Sequence, residues 1–222
     1  MSHHDADLDL DPVTYWENRY HGRGQTWSGR LNAALVRETA GLVPGRALDL
    51  GSGEGGDPIW LAQAGWQVTA VDISTSALAL AATNAATAGV AGQISWVRAD
   101  LSDWVPDQTY DLVSAQFLHS PVELPRDEIL RRAASAVAPG GLLLVVGHGE
   151  FPPWSSHEPD GVQLPRPDDV LQALDLAEGT WTEGTWTVVT SALVDRLATG
   201  PDGTTGTLSD SVLSLRRLPA AG

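Results

Sequence analysis

The feature that most constrains the fold is a glycine-rich loop that directly follows a short apolar run. Arg46 to Leu50 predicts a β-strand, and residues 51–56, which read Gly-Ser-Gly-Glu-Gly-Gly, satisfy the pattern G-x-G-x-x-G. An acidic residue, Asp72, follows Gly51 by 21 positions. Loops with this spacing join the first strand of a parallel sheet to its helix, so the sequence predicts a nucleotide-binding α/β fold.

The residues after this loop alternate between strand-like and helix-like segments. The predicted strands span residues 46–50, 67–71, 94–98, 110–114 and 142–146, and the predicted helices span 59–64, 74–88 and 126–137, with Asp57 as the N-cap of the first helix and Pro58 as its first residue. Two β-rich runs, 186–197 and 208–217, flank a turn at 200–203, and residues 12–42 are predicted to be mainly helical. The predicted fold is a Rossmann-like, doubly wound α/β sheet, mostly parallel, with a C-terminal antiparallel hairpin and an N-terminal helical cap.

At 222 residues the chain is long enough for one full α/β domain. We expect residues 1–222 to form a single domain, with a helical cap segment over 1–44 and a Rossmann-like core over 45–222. No stretch approaches the ~20 apolar residues of a membrane-spanning helix, and the first residues are acidic and polar rather than a secretion signal. These features predict a cytoplasmic protein that does not bind membranes.

The composition excludes several classes of chemistry. The chain has no cysteine, which excludes disulfides, thiolate nucleophiles and cysteine-held metals, and we predict no metal site. All thirteen basic residues are arginine, so the lysine of a P-loop is also absent. The formal net charge is −15 and the arginines are scattered, which disfavours nucleic acid as a partner and favours a small-molecule substrate. Nothing in the composition indicates an oligomeric state.

Two acidic residues at the loop distinguish between the cofactors that bind such loops. The glycine pattern alone suits either NAD or S-adenosylmethionine (SAM). Asp49 stands two positions before the first glycine, and Glu54 lies within the loop near Ser52, where a dinucleotide would place its pyrophosphate. Carboxylates there repel a diphosphate but suit the cationic methionine end of SAM. We therefore expect SAM as the cofactor, with Gly51 and Gly53 allowing the backbone to approach it closely.

Acids at the ends of the next two strands predict the contacts of the rest of the cofactor. Asp72 ends the second strand, with Ile73 beside it, and its two carboxylate oxygens can accept both hydroxyls of a ribose. Asp100 ends the third strand, where an adenine amino group would lie, and Leu101 can offer its backbone amide to the ring. The alternatives are a helix-capping role for Asp72 and a strand-end turn for Asp100.

Together these motifs resemble the class I SAM-dependent methyltransferases. The resemblance covers about residues 45–147 and is carried, in order, by Asp49-Leu50-Gly51-Ser52-Gly53-Glu54-Gly55, Val71-Asp72, Ala99-Asp100, Asp111-Leu112-Val113 and Pro139-Gly140-Gly141. The N-terminal run Tyr15-Trp16-Glu17-Asn18-Arg19-Tyr20, with Trp27-Ser28-Gly29 and Asn32, is similar to the thiopurine and tellurite-resistance branch. That similarity implies that the first helix lies over the cofactor, with Trp27 or Trp16 near the sulfonium, since a cation favours the face of an aromatic ring. Ordinary helix packing is the alternative for both tryptophans.

The acceptor chemistry is expected above the strand ends, after the fourth and fifth strands. Gln116 and Phe117 follow the fourth strand and are predicted at the edge of the cofactor. His119 and His148 are the histidines expected at strand ends, and an imidazole that titrates near neutral pH suits a general base. The alternative for either histidine is a hydrogen-bonded structural role.

The predicted function is transfer of a methyl group from SAM to a small molecule, with S-adenosylhomocysteine (SAH) as the product. Sulfur, nitrogen, oxygen and chalcogen nucleophiles all remain open as acceptors. One alternative is a non-catalytic SAM- or SAH-binding module, which would keep the loop but lack an acceptor pocket. The other is an NAD-dependent oxidoreductase, which the acidic residues Asp49 and Glu54 oppose.

Overall fold

The computed structural model describes residues 9–21, 31–151, 164–175, 185–200 and 203–219. Seven strands form one sheet: β1 (Arg46–Leu50), β2 (Gln67–Asp72), β3 (Ile94–Arg98), β4 (Tyr110–Gln116), β5 (Val137–His148), β6 (Trp186–Thr199) and β7 (Thr205–Arg217). The helices in these ranges are α1 (Pro12–Tyr20), α2 (Ala33–Thr39), α3 (Gly56–Gln63), α4 (Thr75–Thr87), α5 (Arg126–Ser135) and α6 (Pro167–Ala173). None of them is long and apolar enough to cross a lipid bilayer.

The order of the strands places the glycine loop at the centre of the sheet. The strands lie in the order β3-β2-β1-β4-β5-β7-β6. The strands β1 to β5 pair in parallel, whereas β7 is antiparallel to both β5 and β6. The strand order reverses between β1 and β4, and ligands of doubly wound sheets bind at the carboxyl ends of the strands at this reversal. The predicted Rossmann-like fold with its antiparallel hairpin is confirmed.

The helix after the glycine loop begins earlier than predicted. It starts at Gly56, and its N-cap is Gly55, whose φ of 85° lies in the left-handed region that glycine adopts most easily. Asp57 is therefore in the first helical turn, and the prediction that it is the N-cap is wrong. In this position its carboxylate accepts the backbone N–H of Asn32 at 2.9 Å.

Two further elements differ from the prediction. The strand β5 begins at Val137 rather than Leu142, because Val137 pairs with Tyr110 before a shift in register. The run Pro139-Gly140-Gly141 therefore lies within the strand and not in a turn that precedes it. The short helix α6 was not predicted, and it packs against the hairpin formed by β6 and β7.

Apolar side chains cover both faces of the sheet. On one side the sheet contributes Leu50, Val113, Leu143 and Leu213, and the helices α5 and α6 with the C-cap of α6 contribute Leu130, Val170 and Leu174. On the opposite side the sheet contributes Leu112, Leu144, Val146 and Val212, and the helices α2 and α3 contribute Leu35 and Leu61. Because the central strands are buried on both faces, the polar side chains at their carboxyl ends are held on a rigid support.

Candidate functional site

The glycine loop passes closely beneath neighbouring side chains. Gly51 and Gly53 have φ values of 73° and 51°, and the backbone N–H of Gly51 donates to the carbonyl of Val71 at 2.9 Å, which ties the loop to β2. A Cβ atom at Gly51 would lie 2.9 Å from the side chain of Leu118, and one at Gly53 would lie 3.1 Å from the hydroxyl of Tyr20. Glycine is therefore required at both positions by backbone conformation and by space.

Two carboxylates, the buried Asp49 and the half-buried Asp57, stand where β1 enters this loop. Asp49 is 3% exposed, and its Oδ1 atom has no hydrogen-bond partner within the described ranges. Burial raises its pKa well above the usual value, and the nearby Asp57 and Asp72 raise it further, against the effect of a hydrogen bond from Ser114. Burial also raises the pKa of Asp57 to about 6, against the hydrogen bond from the backbone of Asn32. The pair is a strong candidate to bind a cation, which would favour the ionised form of both groups.

A chain of side-chain amides connects these acids to α2 and β4. Asn32 caps α2 and donates from Nδ2 to Oε1 of Gln116 at 2.8 Å. Gln116 in turn donates from Nε2 to the hydroxyl oxygen of Ser114 at 2.9 Å, and Ser114 hydrogen-bonds Asp49. The structure thus brings the predicted site residues Gln116 and Asp49 into one network. Its other members, Asn32, Asp57 and Ser114, were not predicted as site residues.

Asp72 lies at the end of β2 with both carboxylate oxygens engaged by the backbone. Its Oδ2 accepts the N–H of Gly53 at 2.7 Å, and its Oδ1 accepts the N–H of Ser74 at 2.9 Å. Burial raises its pKa against these hydrogen bonds. Ser74, rather than Asp72, caps α4 through its side chain. Each carboxylate oxygen retains a second lone pair, so this arrangement fixes the carboxylate while leaving it able to accept hydroxyl groups beside Ile73.

The remaining residues predicted as cofactor contacts lie in the glycine loop and at the end of β3. Ser52 and Glu54 are buried in the loop, at 8% and 6% exposure, and the Ser52 hydroxyl has no hydrogen-bond partner among the described residues. Asp100 accepts the N–H of Ser102 at 2.8 Å. This hydrogen bond forms the strand-end turn that was the alternative role for Asp100. Leu101 is 7% exposed, next to this turn.

The helix α1 spans the carboxyl edge of the sheet and is attached on both sides. The Nε1 atom of Trp16 donates to the hydroxyl oxygen of Ser120 at 3.3 Å, and its ring stacks on Tyr20 with centroids 6.2 Å apart. On the other side, the carboxylate of Glu17 accepts the Ser74 hydroxyl at 2.8 Å and also the backbone N–H and hydroxyl of Ser76, at the N-terminus of α4. Trp16 thus packs within the cap, whereas Trp27 lies outside the described residues.

The two predicted histidines meet above β4 and β5. The rings of His119 and His148 are nearly parallel, with centroids 5.7 Å apart. The ring of Phe117, a residue in the left-handed region at φ 51°, lies 4.6 Å from His148 and under the guanidinium of Arg196, which is 6.0 Å from its centroid. The structure therefore brings together Phe117, His119 and His148 as one cluster at the strand ends.

The two histidines differ in the environment of their nitrogen atoms. Burial lowers the pKa of His119 to about 4, with smaller contributions from Arg126 and His148, and its Nε2 atom is buried without a hydrogen-bond partner in the described part of the chain. Burial lowers the pKa of His148 as well, but Asp210 opposes this effect. Both imidazoles are neutral near pH 7, which is the form that accepts a proton.

Comparison with known proteins places this geometry in a family. Residues 47–141 match a family model described as a methyltransferase domain. Ribosomal RNA small subunit methyltransferase C of Alcanivorax borkumensis is 31% identical over 147 residues, which are 65% of this chain and 44% of that protein. Thiocyanate methyltransferase 1 of Arabidopsis thaliana is 34% identical over 101 residues, 44% of each chain. The crystal structure of TehB from Haemophilus influenzae matches with a TM-score of 0.64 at 16% identity, over 93% of this chain and 66% of that one.

Residues 47–141 of this chain, less than half of its length, match a methyltransferase domain. The resemblance to methyltransferases, predicted from the loop and strand-end motifs, is confirmed over these residues, and SAM remains the cofactor proposed below. The chain spans less than half the length of the curated relatives it matches, at 44% of the Alcanivorax and Arabidopsis proteins. The Rossmann-like fold and the methyltransferase domain are thereby established, whereas the cofactor and the acceptor of the methyl group belong to the proposal below.

The local sequence pattern at Asp57, a residue of the candidate site, led to a wrong prediction. Asp57 stands next to Pro58 at the start of a helix, a pattern that predicted a cap, but the helix begins one residue before it and the half-buried Asp57 lies near Asp49. The links from Glu17 to α4 and from Asn32 to Gln116 join residues 57 and 84 positions apart, and no local pattern signals them.

Proposed function

We propose that the chain transfers a methyl group from SAM to a small-molecule acceptor whose nucleophilic atom is sulfur, nitrogen, oxygen or another chalcogen. The observation that carries this proposal is the buried oxygen of Asp49, which has no partner in the described ranges and stands beside Asp57 at the mouth of the glycine loop. Two adjacent acids, one buried and one half-buried, are costly to keep ionised, and a cationic ligand offsets that cost. The methionine ammonium of SAM is such a cation.

The residues around the loop fit the other parts of the cofactor. The glycines at 51 and 53 leave room for close approach, and the fixed carboxylate of Asp72 is available to a ribose. Asp100 and Leu101, at the end of β3, are the proposed adenine contacts, with Gln116 and Phe117 at the opposite edge of the cofactor. When bound, SAM supplies a methyl group attached to a positively charged sulfur.

For an acceptor that carries a proton, His148 is the better candidate for the base. The Nε2 atom of His119 is buried and lies against Gly147, where a Cβ atom would be 2.9 Å from it. This nitrogen is therefore closed to an acceptor, and a pKa of about 4 makes His119 a weak base near pH 7. His148 has its pKa lowered by burial but supported by Asp210, which favours transient protonation.

A second candidate acceptor is ribosomal RNA, because the matched curated relatives include two that are named ribosomal RNA small subunit methyltransferases. This chain covers 44% and 41% of their lengths. A net charge of −15 disfavours an RNA acceptor, since affinity for nucleic acid depends on neutralising phosphates with basic groups. We therefore favour the small molecule.

Calorimetry with SAH and NAD tests the cofactor, and a turnover assay tests the acceptor. We expect SAH to bind and NAD not to bind. The assay offers SAM with thiols, amines, phenols, chalcogen oxyanions and unmodified ribosomal RNA in separate reactions. Tight SAH binding without turnover of any acceptor would favour a non-catalytic module, and methylation of RNA alone would support the second candidate. NAD binding without SAH binding would contradict the proposal.

A further inference from the structure

Asp210 is a buried acid beside the histidines, and the proposal above uses only its effect on the pKa of His148. It lies on β7, where it is the cross-strand partner of His148, the last residue of β5. Its side chain is almost fully buried, with a residue exposure of 3%. Directly opposite residues of an antiparallel pair face the same side of the sheet, with Cβ atoms about 4.5–5.5 Å apart. The register thus places the carboxylate of Asp210 next to the imidazole of His148.

Only one oxygen of this carboxylate is engaged. Arg196, on the neighbouring strand β6, donates from Nε to Oδ2 of Asp210 at 2.7 Å. The other oxygen, Oδ1, is buried and has no hydrogen-bond partner among the residues that the structure describes. Native proteins rarely leave a buried acceptor unsatisfied, because its lost hydration is then uncompensated. Oδ1 is thus poised to interact with a positive charge that forms beside it.

The charged and titratable groups around His148 act on it in opposite directions. Burial is the strongest influence and lowers the pKa of His148, Asp210 raises it, and Arg196 lowers it. His119 stacks on the imidazole and is itself neutral near pH 7, since its pKa is about 4. The resting state is a neutral imidazole next to an anion, an arrangement that favours the imidazolium once a proton arrives.

We propose that Asp210 acts through His148 as a positioning residue: held by Arg196, its carboxylate stabilises the imidazolium that forms during the reaction. This inference rests on the proposed role of His148 as the base. In that step the N–H, O–H or S–H bond of the acceptor breaks, its electron pair stays on the acceptor atom, and the proton moves to His148. Asp210 remains ionised throughout, as the carboxylate of a histidine–carboxylate pair does.

The competing explanation is that Asp210 and Arg196 form an ion pair that only closes the hairpin. A pair of that kind affects the stability of β6 and β7. If the pair has only that role, removal of either charge leaves the pKa of His148 unchanged. The pKa of His148 in single-charge variants therefore separates the two explanations.

The experiment is an NMR titration of the imidazole signals in the full-length protein, with the His148 signals assigned by their loss in His148→Ala. Removal of the adjacent opposite charge in Asp210→Asn is expected to lower the pKa of His148 by about 1 unit. Removal of the positive charge in Arg196→Gln is expected to raise it. Asp195→Asn is the matched control, because Asp195 lies on the same hairpin but is exposed and bonds the Ser209 hydroxyl.

Opposite shifts in the two charge variants, with no shift in the control, support the inference. Equal pKa values in the wild type and both variants overturn it, and so do shifts of the same sign. If Asp210→Asn does not fold, the sign of the shift in Arg196→Gln decides. Calorimetry with SAH on the wild-type sample keeps the two proposals apart, since absent SAH binding contradicts the proposed function while the titration still reports on Asp210.

Discussion

The Nε2 atom of His119 faces the backbone of Gly147 so closely that a Cβ atom on the glycine would lie 2.9 Å from it. The first prediction follows from this contact. Gly147→Ala is expected to displace the imidazole and to lower the free energy of unfolding by about 1–3 kcal/mol, the usual cost of overpacking. Urea denaturation measures the loss.

Gly92 provides the control for this substitution, because nothing lies within 4 Å of its Cβ position. Gly92→Ala should leave the stability of the protein nearly unchanged. A wild-type unfolding free energy in Gly147→Ala would show that His119 does not occupy the space above the glycine.

The second prediction concerns the carboxylate that ends β2. Asp72→Ala removes the acceptor proposed for the ribose hydroxyls and also releases the N–H of Gly53. Charge-assisted hydrogen bonds contribute about 1.5–3 kcal/mol, so SAH should bind at least about tenfold more weakly by calorimetry. Asp111→Ala is the control, because Asp111 likewise accepts a backbone N–H, from Arg46, at the opposite end of the sheet. Undiminished affinity in Asp72→Ala would refute the ribose role.

The third prediction is a pH dependence of stability that originates in the pair Asp49 and Asp57. Both carboxyl groups have pKa values raised by burial in the folded protein, to about 6 for Asp57. A raised carboxyl pKa means that the folded state holds protons more tightly than the unfolded state. The stabilisation that comes from binding these protons is therefore present at low pH and is lost as the pH rises through about 6. The Tm of the SAM-free wild type should therefore fall from pH 5 to pH 7.5 more steeply than that of Asp57→Asn. Parallel curves would contradict the assignment.

The fourth prediction separates the two histidines. His148→Ala is expected to reduce kcat by about 10²-fold or more on an acceptor that carries a proton, the lower range for loss of a general base, with SAH affinity unchanged. His119→Ala should have a much smaller effect on kcat, because one nitrogen of His119 is blocked and its pKa is about 4. Steady-state kinetics on the acceptor found by the turnover panel provide the measurement. Full turnover in both variants would show that neither histidine is the base.

The fifth prediction concerns the contacts that fasten α1 to α4. Hydrogen bonds from Ser74 and Ser76 lower the pKa of Glu17 despite its partial burial, so its carboxylate is ionised at neutral pH. Glu17→Gln weakens these contacts, and the dissociation rate of SAH should rise by several-fold, since each net hydrogen bond contributes about 0.5–1.5 kcal/mol. Stopped-flow displacement measures the rate. Glu38→Gln, which loses a contact to Thr190 away from the loop, should release SAH at the wild-type rate.

Much of this fold was predictable because its signals are local. The strands β1 and β3 were predicted with their observed bounds, since each is a short apolar run delimited by turn residues. The Pro139-Gly140-Gly141 run misled the prediction for β5, because a sequence typical of a turn is here absorbed into the strand by pairing between Tyr110 and Val137. Tertiary pairing overrode the local preference.

The site was predictable where a single residue sits at a strand end. Asp72 and His148 end β2 and β5 in the structure, where the sequence predicted strand ends, and their roles remain predictions. Asp210 was not predicted, because it owes its position to the register between β5 and β7, which places it opposite His148 across 62 residues of chain. Register is a property of the assembled sheet, and no pattern within either strand reports it.

The attachment of α1 has a consequence for ligand exchange. Glu17 fixes one side of this helix beside Asp72, and Trp16 fixes the other side at Ser120, so the helix crosses the opening above Gly53. A ligand that binds above Gly53 would therefore contact α1 on its outer side. Its entry and release should then depend on how firmly Glu17 and Trp16 hold this helix.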